Sequence, residues 1–271
     1  MPDLSEITYS QSATVAAFRD YYQFLTKLYL KESDVVEPPE GGWPLITAER
    51  LAGLKKDDEV IELFRRIPYV RGAHDDNPEV APWTKMWDWE SACRTLAAGK
   101  HLDTVRGFKL LTEGEYEDAV PSSVVGITHT GPFAECFLLD TEQGTISWPT
   151  WPECNQLIKS PDIEVVMDDA YEYCENEQEA EWRDPACWAI ADFFKVLKDQ
   201  FRKLAFIPIS MEKVLGTYSG VLLRDGKLRN VLQDIYREHG WPDLDQYRKE
   251  ECLEAVRKAV VEKFPEHTHL L

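Results

Sequence analysis

The spacing of apolar residues changes twice along this chain of 271 residues, and this change constrains the fold more than any other feature. Near the N-terminus the apolar positions recur at helical spacing, as in the series Val15, Phe18, Tyr22, Leu25 and Tyr29. From 104 to 167 short β-branched runs alternate with turn residues, and from 185 to 265 the helical spacing returns. This order predicts an α+β fold, in which an antiparallel β-meander packs with N-terminal and C-terminal helices in a single domain over residues 1–271.

Local signals place the individual elements. Helices are predicted at 12–31, after Thr47, from 57 to Pro68 and at 88–98, where Gly99 follows as a left-handed cap. Strands are predicted at 105–111, 124–128, 136–139, 145–148 and 163–167, with a turn at 140–144. Asp184-Pro185 reads as a cap with proline at the first helical position, ahead of an apolar stripe from Ile190 to Leu204. A strand at 206–209, a helix at 211–218 capped by Ser210, and two final helices complete the prediction.

An acidic tract between Asp162 and Asp184 is the most unusual local feature. It carries ten carboxylates against one cation, Arg183, in a chain whose net charge is −19. The carboxylates are Asp162, Glu164, Asp168, Asp169, Glu172, Glu175, Glu177, Glu179, Glu181 and Asp184. Such a surface repels nucleic acid and anionic lipid and attracts a basic partner. We therefore expect a basic protein partner, and neither nucleic-acid nor membrane binding.

Aromatic residues lie among and just before these carboxylates. Mixtures of aromatic and charged side chains, such as Tyr171 and Tyr173 in the tract, are typical of contact surfaces. Trp148 and Trp151 are expected to supply an apolar anchor. The predicted partner-binding residues are Asp168, Asp169, Tyr171, Glu172, Tyr173, Glu175, Trp148 and Trp151. Two alternatives stay open: the tract is a solvated loop, or the tryptophans cover the ends of the sheet.

No motif identifies a reaction. The chain has no G-x-S-x-G elbow, no Walker loop, no G-x-G-x-x-G and no H-E-x-x-H, so we expect no cofactor and no metal. The leading interpretation is a non-enzymatic protein-binding module with an acidic docking surface. The alternative is a small-molecule enzyme with a pocket between the meander and the 185–204 helix. Asp192, His129 or Tyr218 would then be the acid–base groups.

Cysteines and histidines give weaker signals. His129 and Cys136 flank one predicted hairpin, but the neighbouring Glu135 opposes thiolate formation, which favours a buried structural cysteine. His74 with two aspartates resembles a metal site only weakly. The six scattered cysteines and the absence of a signal peptide at the start of the sequence indicate reduced thiols in a cytoplasmic or nuclear protein. A homo-oligomer is compatible with all of these features.

Two stretches resemble a known family. Residues 124–128 followed by 135–146 are similar to the strand–turn–strand core of SMI1/KNR4-like (SUKH) proteins, with a strand ending in Leu-Leu-Asp ahead of a turn glycine. Residues 189–197 resemble that family's closing helix. The resemblance covers roughly 120–205 and implies an α+β fold and a protein-binding role, regulatory or as an immunity factor against toxins, without catalytic residues. The acidic, tryptophan-rich style of the whole chain is also similar to that of filamentous-fungal proteins, and no function follows from that likeness.

Overall fold

Helices form the N-terminal portion of the structure, a computed structural model. It describes residues 2–73, 77–99, 105–131, 134–149, 160, 162–167, 169, 171, 174, 177–184, 186–218 and 220–271, without the side chains of residues 178 and 179. The first helices are α1 (Gln11–Leu28), α2 (Ala48–Leu51), α3 (Asp58–Arg66), α4 (Trp89–Ala97) and α5 (Val105–Glu113). Between them β1 (Val35–Val36) pairs antiparallel with β2 (Tyr69–Val70).

An antiparallel sheet occupies the middle of the chain. Its strands are β3 (Val124–Gly126), β4 (Leu138–Asp140), β5 (Thr145–Ser147) and β6 (Cys187–Ala189), in that spatial order, with α6 (Glu177–Glu181) preceding β6. The C-terminal portion contains α7 (Ile190–Arg202), β7 (Phe206–Pro208), β8 (Val214–Gly216), α8 (Gly220–Arg224), α9 (Gly226–Glu238) and α10 (Lys249–Lys263). The fold is therefore α+β, with an antiparallel meander between helical portions, as the sequence predicts.

Side-chain caps and one left-handed glycine fix several element boundaries. Thr47 accepts a hydrogen bond from the Arg50 amide at 3.2 Å, and Asp88 accepts one from the Ser91 amide at 3.0 Å. Gly144 closes the β4–β5 turn with a φ of 73°. That backbone region favours glycine because it has no Cβ.

The sheet packs closely against helices on both sides of β3 to β5. Helix α5 lies so near β3 that a Cβ added at Gly126 would approach the Thr112 carbonyl oxygen to 1.9 Å, so only glycine fits there. From α7 the Phe193 ring packs 4.8 Å from Phe137 of the sheet, and Phe194 packs 4.8 Å from Phe18 of α1. The apolar face of α7 thus joins the sheet to the N-terminal helix.

Two irregular segments lie beside the sheet, one next to β6 and one beyond the end of β3. Next to β6, the Val166 amide donates to the Cys187 carbonyl at 2.8 Å, and Met167 forms a parallel bridge with Asp3. Beyond the end of β3, Met86 forms an antiparallel bridge with Thr128. Opposite edge strands of one sheet therefore approach two separate surface regions.

Four sequence predictions of secondary structure are wrong. Residues 105–111 are helical, and burial of Phe108 and Thr112 gives that helix its inner face. Residues 163–167 make isolated bridges in place of a strand. Residues 187–189 form strand β6 by pairing with β5, so α7 begins at Ile190 and not at the predicted Asp184-Pro185. The predicted helix at 211–218 is a turn and β8, in which the Ser210 hydroxyl accepts from the Glu212 and Lys213 amides at 3.3 and 3.2 Å.

Candidate functional site

The acidic tract lies beside β6 and is joined there by carboxylates from the N-terminus. The bridge between Met167 and Asp3 is supported by a 2.9 Å hydrogen bond from the Met167 amide to the Pro2 carbonyl. Glu6 lies next to Asp3, because its carboxylate accepts from the Asp3 amide at 3.2 Å. Met167 is 54% exposed among these charges. No sequence signal indicates that the first residues of the chain belong with a tract some 160 positions later.

A second group of carboxylates surrounds Tyr171, whose side chain is 49% exposed. The pKa of its hydroxyl is raised, first by partial desolvation and then by the negative charges of Asp184, Glu181 and Glu177. Glu177 and Glu181 are four residues apart on α6, a spacing that places them on one helix face. Tyr171 follows Met167 by only four positions, so their Cα atoms lie within ~14 Å of each other.

We use the name acidic surface for these two groups together. Its members are the carboxylates Asp3, Glu6, Asp169, Glu177, Glu181 and Asp184 and the exposed Met167 and Tyr171. Within the described part of the chain, none of the acidic-surface carboxylates takes part in an ion pair. By contrast, Glu254 on α10 lies 2.6 Å from Arg257, and Asp234 on α9 lies 2.9 Å from Arg237. Among the described residues, the carboxylates of the acidic surface thus lack the ion pairs that Glu254 and Asp234 make.

The predicted partner-binding residues divide into three sets. Asp168, Glu172, Tyr173, Glu175 and Trp151 lie outside the described residues. Asp169 and Tyr171 are exposed in the acidic surface. Trp148 is only 1% exposed, with its ring 4.8 Å from Phe137. Because an interior ring cannot contact a partner, the anchoring role predicted for Trp148 does not agree with its position, and we leave this residue out of the acidic surface.

A second candidate region is an open cleft of about 510 Å³ beyond the end of β3. It lies between the loop before α4, the helices α4 and α5 and the segment after β3. Its lining combines aromatic and polar side chains: Asn77, Trp83, Lys85, Trp87, Asp88, Ser91, Thr95, Phe108 and His129. The His129 and Trp87 rings lie 5.5 Å apart. We call this region the tryptophan cleft.

Trp83 has an unusual backbone at the mouth of this cleft. It occupies the third position of the turn from Ala81 to Thr84, which a 3.0 Å hydrogen bond closes, and its φ is 60°. The side chain is nevertheless 37% exposed. A bulky residue in this left-handed region carries a cost of ~1–2 kcal/mol. Proline favours the second position of such turns, so the Pro82-Trp83 pair is the sequence signal for this turn.

Buried Glu79 holds this turn in place. Its carboxylate accepts from the Val214 amide at 2.7 Å and from the backbone N–H of Trp83. Burial raises the pKa of Glu79, and those hydrogen bonds together with nearby Lys213 and Lys85 oppose the rise. The hydroxyls of Tyr21 and Tyr29 donate to the carbonyls of residues 80 and 79. The strained turn is therefore tied to both α1 and β8.

Charges near the tryptophan cleft compensate one another. Arg71 donates to both oxygens of Asp88, at 2.5 and 3.2 Å, and to Glu90 at 2.5 Å. The Arg71 guanidinium also lies 5.2 Å from the centre of the Trp43 ring. The cleft consequently presents little net charge despite the acidity of the chain.

The acid–base residues of the alternative function lie in different environments. Asp192 pairs with Lys195 at 2.7 Å on the outer face of α7. Tyr218 packs 5.9 Å from Phe206, and His129 lines the tryptophan cleft. Where the pocket was predicted, between the sheet and α7, the rings of Phe137, Trp148 and Phe193 are in contact. The structure does not bring these candidates together.

Neither the Cys136 thiol nor the cluster of potential metal ligands near the C-terminus points to a reactive site. Burial, aided by nearby carboxylates, raises the pKa of Cys136, which agrees with a structural thiol and not with a nucleophile. The side chains of Asp225, Glu266 and His267 offer ligand atoms within 4.8 Å of one another near the C-terminus. His267 lies 3.2 Å from Asp225 and 3.9 Å from Glu266, and these two contacts account for the cluster. The His74 cluster predicted from sequence lies outside the described residues.

Comparison with known proteins adds no identification. The chain matches none of the protein-family models, curated proteins or solved structures compared with it. The resemblance to SMI1/KNR4-like proteins therefore stays a prediction. In the part of the chain that the structure describes, no helix combines the length and apolar character needed to cross a bilayer.

Proposed function

We propose that this chain is a non-enzymatic protein-binding module whose acidic surface receives a basic protein. One observation carries the proposal: Glu177, Glu181 and Asp184 lie near enough to Tyr171 to raise the pKa of its hydroxyl, and in the described part of the chain none of the three makes an ion pair. Like charges held close together repel, so a cation on a partner would reduce the electrostatic repulsion among these carboxylates. Charge complementarity of this kind speeds encounter and fixes orientation.

The exposed apolar side chains give the surface an anchor in addition to its charge. Interface energy is concentrated in a few aromatic and apolar residues, while rim charges act mainly on the rate of association. Tyr171 and Met167, each about half exposed, take the anchoring role that the sequence assigned to the tryptophans. We expect the partner to offer lysine or arginine around an apolar contact point.

The biological setting is part of the proposal. The resemblance to SMI1/KNR4-like proteins favours a regulatory role or an immunity role against a toxin, in the cytoplasm or nucleus. The same negative charge disfavours binding to nucleic acid and to anionic membranes. Self-association is left to a measurement of mass in solution.

A capture experiment with matched charge variants tests the proposal. The full chain is immobilised at low ionic strength, exposed to a cell extract and eluted with increasing salt. The E177Q/E181Q/D184N variant removes acidic-surface charge. The D234N/E251Q/E254Q variant removes the same number of carboxylates, which are paired with arginines on α9 and α10. We expect basic proteins to be retained by the wild-type chain and the second variant, and lost from the first. Equal retention by both variants would contradict the proposal.

A further inference from the structure

The tryptophan cleft has the dimensions and lining of a small-ligand site. Its volume of about 510 Å³ falls in the range of pockets that hold small organic molecules. Apolar walls from Trp87 and Phe108 face a limited number of polar side chains. This combination buries a ligand's apolar surface while a few polar contacts fix its orientation.

Trp83 combines a strained backbone with a partly exposed side chain. Its φ of 60° lies where glycine is favoured, and more than a third of its side chain is exposed to water. The Glu79 carboxylate, itself buried at the base of the turn, keeps this backbone in place. A strained backbone that surrounding contacts hold in place is typical of ligand-binding positions. The strain therefore places an exposed indole ring at the mouth of the cleft.

Several polar side chains also line the cleft. The Ser91 hydroxyl and the His129 ring nitrogens have no hydrogen-bond partner among the described residues. The Asn77 carbonyl oxygen accepts from the Gly72 amide at 3.3 Å, which leaves its amide group to donate. Hydroxyl, imidazole and amide groups together offer both donors and acceptors. A matching ligand must offer both as well.

The charges disfavour ionic ligands. Asp88 is already paired with Arg71, so it does not offer an uncompensated carboxylate to a cation. The chain's net charge of −19 repels anions as they approach. A neutral ring that carries hydroxyl groups on its edge and C–H groups on its face satisfies all of these conditions.

We propose that the tryptophan cleft binds a neutral saccharide, with one sugar ring stacked on Trp83 and its hydroxyls hydrogen-bonded to Ser91, Asn77 and His129. This inference does not depend on the acidic surface. The cleft and the acidic surface approach opposite edge strands of the sheet, β3 and β6. The two sites can therefore be tested separately.

The experiment uses the full chain, isothermal titration and ligand-detected NMR. The probes are cellobiose, maltose, chitobiose and mannobiose, with adenosine and indole as planar aromatic comparators. The test variant is Trp83→Gly, because glycine suits a φ of 60° and the turn should keep or gain stability. We expect at least one disaccharide to bind the wild-type chain, and affinity to fall by about tenfold or more in Trp83→Gly. Ser91→Ala should weaken the same disaccharide by about threefold to tenfold.

Tyr171→Ala is the matched control, since it removes an exposed aromatic ring from the acidic surface. It should leave saccharide affinity unchanged and weaken capture of the basic protein, whereas Trp83→Gly should do the reverse. Three results would overturn the inference: no disaccharide binding at millimolar concentrations, equal binding by Trp83→Gly, or binding of the planar aromatic probes alone.

Discussion

The indole N–H of Trp148 donates a 2.7 Å hydrogen bond to the carboxylate of Glu135 inside the core. Both side chains are buried, and the two residues belong to segments that flank β4 and β5. A buried carboxylate is costly unless it is hydrogen-bonded. Trp148 therefore stabilises the buried Glu135 carboxylate, whereas the sequence predicts that it is an exposed anchor for a partner.

Replacement of Trp148 by Phe should lower stability without affecting partner binding. The ring volume is nearly kept, but Glu135 loses a donor, so the free energy of unfolding should fall by ~1–3 kcal/mol. Denaturant titration measures this change. Trp182→Phe is the control, because the buried Trp182 indole nitrogen has no hydrogen-bond partner among the described residues and its loss should cost less. Equal losses in the two variants would mean that the hydrogen bond to Glu135 contributes little.

The buried pair Lys56–Glu113 should respond more strongly to a single substitution than to a double one. The two charged groups are 2.9 Å apart, and both side chains are almost completely buried. Removal of Lys56 leaves the buried Glu113 carboxylate with only its longer contact to Lys109, at 3.7 Å, so Lys56→Met should cost up to ~3–5 kcal/mol. The K56M/E113L double variant should recover most of that loss, as chemical denaturation can show. Arg257→Met, at an exposed pair, should cost at most ~1 kcal/mol. A double variant less stable than Lys56→Met would contradict this account.

Glu79 should make stability decrease as pH rises. Burial raises its folded-state pKa above the reference value of 4.5, so the folded chain holds the proton to higher pH than the unfolded chain does. The stability that it contributes is fully present below pH 4.5 and is lost as pH rises through the folded pKa. The stability of the wild-type chain relative to Glu79→Gln should therefore fall as pH rises above 4.5 and through the folded-state pKa. A difference that stays constant or grows with pH would show that the pKa is not raised.

The cysteine thiols should differ in reactivity according to their burial. Burial raises the pKa of Cys93 to about 12 and that of Cys252 to about 11, and it raises the pKa of Cys136 as well. Cys174 is less buried than these three. A thiol reagent at about pH 8 should modify Cys174 well before the others, which should react only on unfolding. Peptide mass mapping over time identifies each site, and early modification of Cys136 would contradict the predicted order.

The sequence predicted the fold class because the long helices and the meander carry strong periodic patterns. The stripe on α7 was recognised from spacing alone, and its residues Phe193, Phe194 and Leu197 are buried as expected. Strand β6 was missed because three residues carry little local signal, and its pairing partner β5 lies 40 positions earlier. Helix α5 was mistaken for a strand because its apolar run was read by composition, although Phe108 and Thr112 have helical spacing.

The candidate sites were less predictable than the fold. The carboxylates near Tyr171 are adjacent in sequence, so their charge was visible directly. The contribution of Asp3 and Glu6 depends on a bridge to Met167, which no local pattern indicates. The tryptophan cleft joins three separate segments, and its most informative residue, Trp83, is marked by a backbone angle that a sequence does not show.

Association kinetics with the captured basic protein tests the central claim most directly. The rate constant is measured by stopped flow at ionic strengths of about 0.05 and 0.5 M, between which the screening length falls from well above to well below ~10 Å. For the wild-type chain and for D234N/E251Q/E254Q we predict a fall of about tenfold or more. For E177Q/E181Q/D184N we predict a slower association at low salt and a much smaller fall. The same salt dependence in both variants would contradict the claim that the carboxylates around Tyr171 form the docking surface.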